Sequence, residues 1–257
     1  MSNIQSKTDA LFLRWKQAYE KEGYTGFCAD GLLYRGGNWD KEVAGEQYHG
    51  KYEGDEENMW LQAPKRLLFL LKDTNGNPGE DLREFRPGAN GSIALHYKNL
   101  AYWTYGLLAF DETHDAPAFD ALDFWEEAFP AFDQKPLAIV NCKKEAGKGS
   151  INPAVLQEHI DRYAPFIKEQ IEILDPDIIV CGGGSSVIKE FVANHVYPGI
   201  VKVNNWVYYD DTRRKVVIDS YHPSYRFEEV ADMYTGMMDK YKEFLAAHPE
   251  FRKSSRK

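Results

Sequence analysis

The sequence predicts an α/β fold, a three-layer α/β/α sandwich with a four-stranded, mainly parallel sheet. Four short apolar runs lack apolar–polar alternation, which is typical of strands covered on both faces. Each run leads into a polar or glycine-rich turn and then into a segment with helical periodicity, the order that places helices on both faces of a parallel sheet. The runs lie near residues 66–71, 137–141, 178–181 and 216–219.

Length and composition favour one domain. The 257 residues are 43% hydrophobic, enough to bury a full core, and we expect a single domain over residues 1–257 in which residues 1–65 form a helix and an irregular extension packed on the rest. No stretch of 18 uncharged apolar residues occurs, so we expect no membrane partner and a cytoplasmic location. The net charge of -9 argues against a protein that coats nucleic acid by bulk electrostatics.

The three cysteines are Cys28, Cys142 and Cys181, and no two of them form a CxxC pair. An odd total at this wide spacing predicts reduced thiols, with neither a disulfide framework nor a zinc or iron–sulfur site. We therefore expect no metal and no other cofactor. We also expect the chain to act as a monomer.

Helical periodicity accounts for most of the chain between the strands. Residues 23–64 show no sustained period and are interpreted as a long irregular connection, with short strands around residues 31–34. A turn at Asp210 and Asp211 predicts a hairpin that joins residues 206–209 to the fourth strand. Apolar residues at helical spacing predict helices over residues 8–22, 93–108, 119–129, 153–174, 187–194 and 227–247.

Polar side chains follow the strands at the carboxyl edge of the predicted sheet, where open α/β sheets bind ligands. Asp73 and Asn75 follow the first strand, Asn141 ends the second, Ser185 follows the third, and His222 follows the fourth. A carboxylate and a histidine can serve as general base and electrostatic stabiliser, and an asparagine can read a donor–acceptor edge of a planar ligand. These residue types suit hydrolysis of a bond to a nucleobase. Each of them alone is equally compatible with an ordinary turn or packing role.

Residues 66–226 resemble the uracil-DNA glycosylase superfamily in the order of several motifs. Residues 71–75 (Leu-Lys-Asp-Thr-Asn) take the place of the first motif, which carries the water-activating carboxylate. Residues 137–141 look like the second, whose asparagine pairs with uracil, and residues 174–182 are similar to the stretch before the family's third strand. Residues 217–224 (Val-Ile-Asp-Ser-Tyr-His-Pro-Ser) resemble the last motif, whose histidine stabilises the departing base anion and whose loop enters the minor groove.

The resemblance implies a DNA base-excision hydrolase, a glycosylase for uracil or another deaminated or damaged base, with DNA containing a modified base as its partner. Lys72 and Thr74 stand where the family has glycine and proline, and the cysteines of its iron–sulfur members are absent, so the chain resembles a divergent member. The implied roles are catalysis by Asp73 and His222, base binding by Asn141 and Asn75, and DNA contact by Ser224, Ser185, Tyr225 as a wedge and Arg226 at a phosphate. Phe85, the first aromatic residue after the loop of the first motif, is predicted to stack on a base, and burial in the core is the alternative role of this side chain.

Two other functions are compatible with the sequence. A glycosylase fold without catalysis could bind a nucleotide, a nucleic acid or a protein partner, and the acidic charge favours this alternative. A Ser-His-Asp hydrolase is the second, because Ser185, Asp219 and His222 follow the chain order of α/β-hydrolases. Val187 replaces the last glycine of the G-x-S-x-G motif that such a hydrolase needs.

Overall fold

The computed structural model describes residues 4–35, 54–84, 93–147, 150–183 and 186–253, and it confirms the α/β class. The strands within these residues are β1 (Gly31–Leu32), β2 (Leu67–Thr74), β3 (Ala138–Ala146), β4 (Ile178–Gly182), β5 (Val201–Lys202), β6 (Val207–Asp210) and β7 (Lys215–Ser220). The α-helices are α1 (Ile4–Lys21), α2 (Glu56–Gln62), α3 (Leu95–Ala109), α4 (Phe129–Gln134), α5 (Pro153–Leu174), α6 (Val187–Phe191) and α7 (Val230–Ala247). None of these helices combines the length and hydropathy needed to cross a membrane.

The four strands that the sequence predicts form the parallel centre of the sheet, in the order β3-β2-β4-β7. The predicted total of four strands is not confirmed, because short antiparallel strands extend both edges. The strand β1 pairs with β3, while β6 and then β5 continue the sheet beyond β7. Within the described residues the sheet is therefore mixed and has seven strands. The short strand expected around residues 31–34 is present as β1, and the predicted hairpin arm is present as β6. The two-residue strand β5 is too short to produce a recognisable sequence pattern.

Helices cover both faces of this sheet. Along β2, Leu68 and Leu70 pack against α1 and α5, whereas Leu67 and Phe69 pack against α3 and α7 on the other face. All four side chains are fully buried. Burying each one contributes roughly 1.5–3 kcal/mol, which explains why the run is apolar at every position and does not alternate.

The helices α1 and α2, which belong to residues 1–65, pack on the face that α5 covers. Trp15 of α1 stacks on Phe166 of α5, with ring centroids 5.5 Å apart, and Trp60 of α2 donates its indole N–H to the carbonyl of Leu174 at 2.8 Å. Residues 36–53, which belong to the same predicted extension, lie outside the described residues. The single-domain organisation stays a prediction.

The prediction of one continuous helix over residues 119–129 is wrong. A 3₁₀ turn (Phe119–Ala121) is followed by a π-helical turn (Phe124–Ala128) that runs into α4. The carboxylate of Asp123 between them accepts hydrogen bonds from the backbone N–H groups of Trp125 and Glu126. Asp123 thus caps a new helical segment, so the periodic apolar residues belong to two elements.

Candidate active site

A cleft of about 490 Å³ lies at the carboxyl edge of the central strands. The structure brings six residues with predicted roles to its wall: Asp73, Asn75, Asn141, His222, Ser224 and Arg226. Tyr225 is not among the residues that line it. Phe85 and Ser185 lie outside the described residues, so their roles stay predictions.

Strand register explains why these side chains meet. Asn141 pairs with Leu71, Leu71 pairs with Gly182, and Gly182 pairs with Ser220, so these four residues lie in one row across the sheet. Asp73 lies two residues beyond Leu71, and His222 lies two residues beyond Ser220. Because side chains alternate along a strand, Asp73 projects from the same face of β2 as Leu71, which also lines the cleft.

Asp73 lies at the end of β2, where the pairing with β3 shifts register before Thr74. Burial raises the pKa of the Asp73 carboxyl above its ordinary value of 3.8, and the positive charges of Lys143 and Lys72 oppose this rise. The backbone of Gly147 packs on the carboxylate so closely that a Cβ at position 147 would overlap Asp73 Oδ2. A partly desolvated carboxylate is a stronger base than one in water, which suits activation of a water molecule.

His222 is held as a neutral donor. The backbone N–H of Ser224 donates to His222 Nδ1 at 3.2 Å, which requires a lone pair on that nitrogen. Burial, together with the nearby His96 and Lys72, lowers the pKa of His222 to about 3. A neutral imidazole that accepts at Nδ1 carries its proton on Nε2. The ring can therefore donate Nε2–H to a ligand oxygen at neutral pH.

Two hydrogen bonds hold the loop that carries His222 in place. The buried side chain of Asn99 in α3 donates Nδ2–H to the carbonyl of Pro223 at 2.7 Å, and the backbone N–H of Tyr225 donates to the carbonyl of His222 at 2.8 Å. Gly182 allows the loop to lie close to the sheet, since a Cβ there would be 2.6 Å from Leu71 Cδ2 and 3.2 Å from Pro223 Cδ.

We expect Gly182→Ala to destabilise the protein by about 1–3 kcal/mol, because the added methyl overpacks the contact between Leu71 and Pro223. Thermal unfolding measures this loss. Gly236→Ala is the matched control, since its Cβ would lie 3.4 Å from the nearest atom, Trp206 Cη2, inside α7, and alanine favours a helix. Equal melting temperatures for Gly182→Ala and the unmodified protein would contradict the close packing of the loop.

Sequence reasoning missed the residues that α3 brings to the cleft. His96 lines it, with Nδ1 3.3 Å from Ser224 Oγ and its ring 5.6 Å from that of His222, and burial lowers the pKa of His96 to about 4. Tyr97 of α3 and Phe132 of α4 supply aromatic walls. The chain order contained a usable signal, because the helix that follows a strand begins near the edge where the strand ends.

Asn141 forms two hydrogen bonds to Asp30, a residue of the N-terminal extension. Its backbone N–H donates to Asp30 Oδ2 at 2.8 Å, and its side-chain Nδ2 donates to the same oxygen at 3.2 Å. No sequence pattern pointed to Asp30, since it lies in the irregular segment before β1. These bonds fix the side chain that faces the cleft.

The hydrogen bonds contradict a Ser-His-Asp triad. In such a triad the aspartate accepts a hydrogen bond from histidine Nδ1–H. Here His222 Nδ1 itself accepts from Ser224, and Asp219 Oδ2 accepts from the hydroxyl of Ser186 at 2.8 Å. His222 therefore lacks the orientation that a nucleophilic serine would need.

Residues 137–246 match the family model described as the uracil DNA glycosylase superfamily. The match supports membership of the uracil-DNA glycosylase superfamily. The matched segment of the chain contains Asn141 and His222, while Asp73 and the whole of α3 precede it. No curated protein sequence matches the chain significantly.

Proposed function

We propose that the protein is a DNA base-excision hydrolase that cleaves the N-glycosidic bond of uracil or of another deaminated or damaged base. The observation that carries this proposal is the meeting of Asp73, Asn141 and His222 in one cleft, with a partly desolvated carboxylate and a neutral imidazole. The superfamily match supports a glycosylase-type function and a DNA partner in general terms.

The reaction separates charge between sugar and base, and the cleft offers a group for each. As the bond from C1′ to the base nitrogen breaks, positive charge develops on the sugar and negative charge on the base. Asp73 stabilises the sugar and takes a proton from the water whose oxygen bonds to C1′. His222 donates Nε2–H to an oxygen of the departing base, which leaves as an anion and is protonated after release.

Base recognition is assigned to Asn141 and to the aromatic walls. The Asn141 amide offers hydrogen bonds to the edge of a flipped base, and the rings of Tyr97 and Phe132 offer apolar surface to its faces. Asn75 lines the cleft on an exposed loop and keeps its proposed role as an additional base contact. Phe85 also keeps its proposed stacking role.

The structure favours Phe227 as the wedge that replaces the flipped base in the duplex, in place of Tyr225. The Tyr225 ring is stacked on Tyr221, with centroids 4.7 Å apart and planes 11° from parallel. Phe227 is 86% exposed, and its ring packs edge-on against Tyr225 at 5.5 Å. The exposed Arg226 lies between them in sequence and lines the cleft, where a phosphate contact fits its charge.

We expect Phe227→Ala to slow excision from duplex DNA by at least about tenfold, because base extrusion costs a few kcal/mol that the wedge offsets. Excision from single-stranded DNA should change by no more than about twofold, since that base needs no extrusion. Single-turnover rates on the two substrates measure the ratio. Trp125→Ala removes another exposed aromatic side chain that does not line the cleft, and should leave both rates unchanged. Equal losses on both substrates would contradict the wedge.

The function itself is tested with oligonucleotides that carry a single uracil, hypoxanthine, xanthine or oxidised pyrimidine. Alkali cleaves the strand wherever a base has been removed. Cleavage of at least one substrate by the unmodified protein, and its loss in Asp73→Asn, is the expected result. Salt-sensitive DNA binding without cleavage on the whole panel would instead support a non-catalytic binding protein.

A further inference from the structure

We infer that Asp30 is a positioning residue that fixes the orientation of the Asn141 amide and thereby sets which bases the cleft accepts. The inference about base choice rests on the proposed function. Asp30 precedes β1, in the N-terminal extension and outside the segment that matches the superfamily model.

The carboxylate of Asp30 is buried and saturated with donors. Its side chain is 1% exposed. Oδ2 accepts the backbone N–H and the Nδ2–H of Asn141, while Oδ1 accepts Nε2–H of Gln170 at 3.1 Å and an ammonium N–H of Lys144. All three partner residues are buried as well, so water does not compete for these bonds.

The neighbours of Asp30, among them Lys144, leave its carboxylate the role of a hydrogen-bond acceptor. Its ammonium group forms an ion pair with Asp30 and is covered by α1, whose rings of Phe12 and Trp15 have centroids 5.8 and 5.1 Å from Nζ. Oδ2 of Asp30 faces the backbone N–H of Asn141, which can only donate, and Oδ1 faces the Lys144 ammonium, so both carboxylate oxygens act as acceptors. An ionised carboxylate only accepts hydrogen bonds.

This chain of contacts selects one orientation of Asn141. Only the NH₂ end of the amide can face Asp30, so the Oδ1 acceptor and the second Nδ2–H are left for the cleft that Asn141 lines. A neighbouring acceptor and donor complement a base edge with an N–H beside a carbonyl, as in uracil, thymine and hypoxanthine. Cytosine and adenine present an unprotonated ring nitrogen beside an amino group and leave both halves of the amide mismatched.

The orientation is tested first in the unmodified protein, by hydrogen exchange of side-chain amides in NMR spectra. The Asn141 NH₂ group should exchange at least about 100-fold more slowly than that of Asn77, which is exposed, because its bond to Asp30 is buried. Exchange of Asn141 as fast as that of Asn77 would overturn the inference. This measurement requires neither a variant nor activity.

The effect on base choice is tested with Asp30→Asn/Lys144→Met, which removes both charges and strands neither. In this variant the slow exchange of Asn141 should disappear, and the ratio of uracil to cytosine excision should fall at least about tenfold. Arg14→Met/Glu169→Gln removes an exposed ion pair between α1 and α5, and should leave the ratio unchanged. A folded Asp30→Asn/Lys144→Met protein with the original ratio and the original exchange would overturn the inference.

The two proposals fail in different ways. Absence of excision by the unmodified protein, combined with a slowly exchanging Asn141 amide, would contradict the proposed function and still support the positioning of Asn141 by Asp30. If the double variant does not fold, the exchange rate in the unmodified protein decides the orientation. Fast exchange overturns the inference whether or not the protein excises bases.

Discussion

Replacing Asp73 by Asn should lower the rate of base excision by at least about 100-fold, because an amide can neither take a proton from water nor stabilise the cationic sugar by its charge. The substitution preserves the size of the side chain beside Gly147. It also removes a carboxylate whose raised pKa shows that its charged form opposes folding. The variant should therefore melt at or above the temperature of the unmodified protein, and the loss of rate cannot be assigned to unfolding.

The pH profile identifies which group is responsible. Excision should fall as the pH drops through the pKa of Asp73, which burial places above the ordinary 3.8, and Asp73→Asn should lack this dependence. His222, with a pKa of about 3, should add no change near the ordinary histidine value of 6.5. The stability that neutral His222 and His96 contribute is complete above pH 6.5 and is lost as the pH falls toward their lowered pKa values, so folding is monitored together with the rate at each pH.

Glu80→Gln is the matched control for Asp73, since Glu80 is a second carboxylate that lines the cleft. Its Oε2 accepts the backbone N–H of Asn77 at 2.8 Å, a bond that the glutamine oxygen can replace. We expect a loss of less than about tenfold for this control. A large loss for Glu80→Gln with a small loss for Asp73→Asn would transfer the role of the base to Glu80.

Replacing His222 by Ala should also lower excision by at least about 100-fold, because it removes a preorganised donor to the departing base anion. The imidazole is neutral, so the contribution comes from the hydrogen bond and its fixed direction. Single-turnover rates on the best substrate of the panel measure the loss. Melting temperatures are compared in parallel, because Ala leaves space beneath the loop.

Leaving-group chemistry separates the two roles. A more acidic base, such as 5-fluorouracil, leaves as a more stable anion and needs less help from a donor. The loss in His222→Ala should therefore shrink on 5-fluorouracil relative to uracil, whereas the loss in Asp73→Asn should stay the same. An equal loss in His222→Ala on both bases would mean that His222 acts on something other than the departing base.

The centre of the fold could be predicted from sequence because burial on two faces leaves a strong local pattern. The apolar runs of β2, β4 and β7 are fully covered and that of β3 is covered except at Ile139, so their residues are apolar without alternation. The edge strands β1 and β5 have only two residues each; β1 pairs with β3 far away in the chain, and β5 joins the sheet through the neighbouring β6. Local patterns cannot show to which sheet such strands belong.

Part of the candidate site could also be predicted from the sequence. Asp73 and His222 lie at or just beyond strand ends, as predicted, and the edge of a parallel sheet follows from the strands themselves. Asn141 does not end its strand as predicted, because β3 continues to Ala146. The position of His96 and Tyr97 in the cleft could not be predicted, because the periodicity of α3 assigns its apolar residues to the core. The role of Asp30 was harder still to predict, since its contact with Asn141 spans 111 positions and involves a segment without regular structure.

The most direct test of the proposed activity is mass spectrometry of a duplex oligonucleotide that carries one uracil, incubated with excess protein. The expected result is release of free uracil together with an intact strand whose sugar bears a hydroxyl in place of the base, for the unmodified protein and not for Asp73→Asn. Substrates with each of the other modified bases complete the series. A protein that binds these duplexes and leaves every one unchanged in mass would contradict the assignment of this cleft as a glycosylase active site.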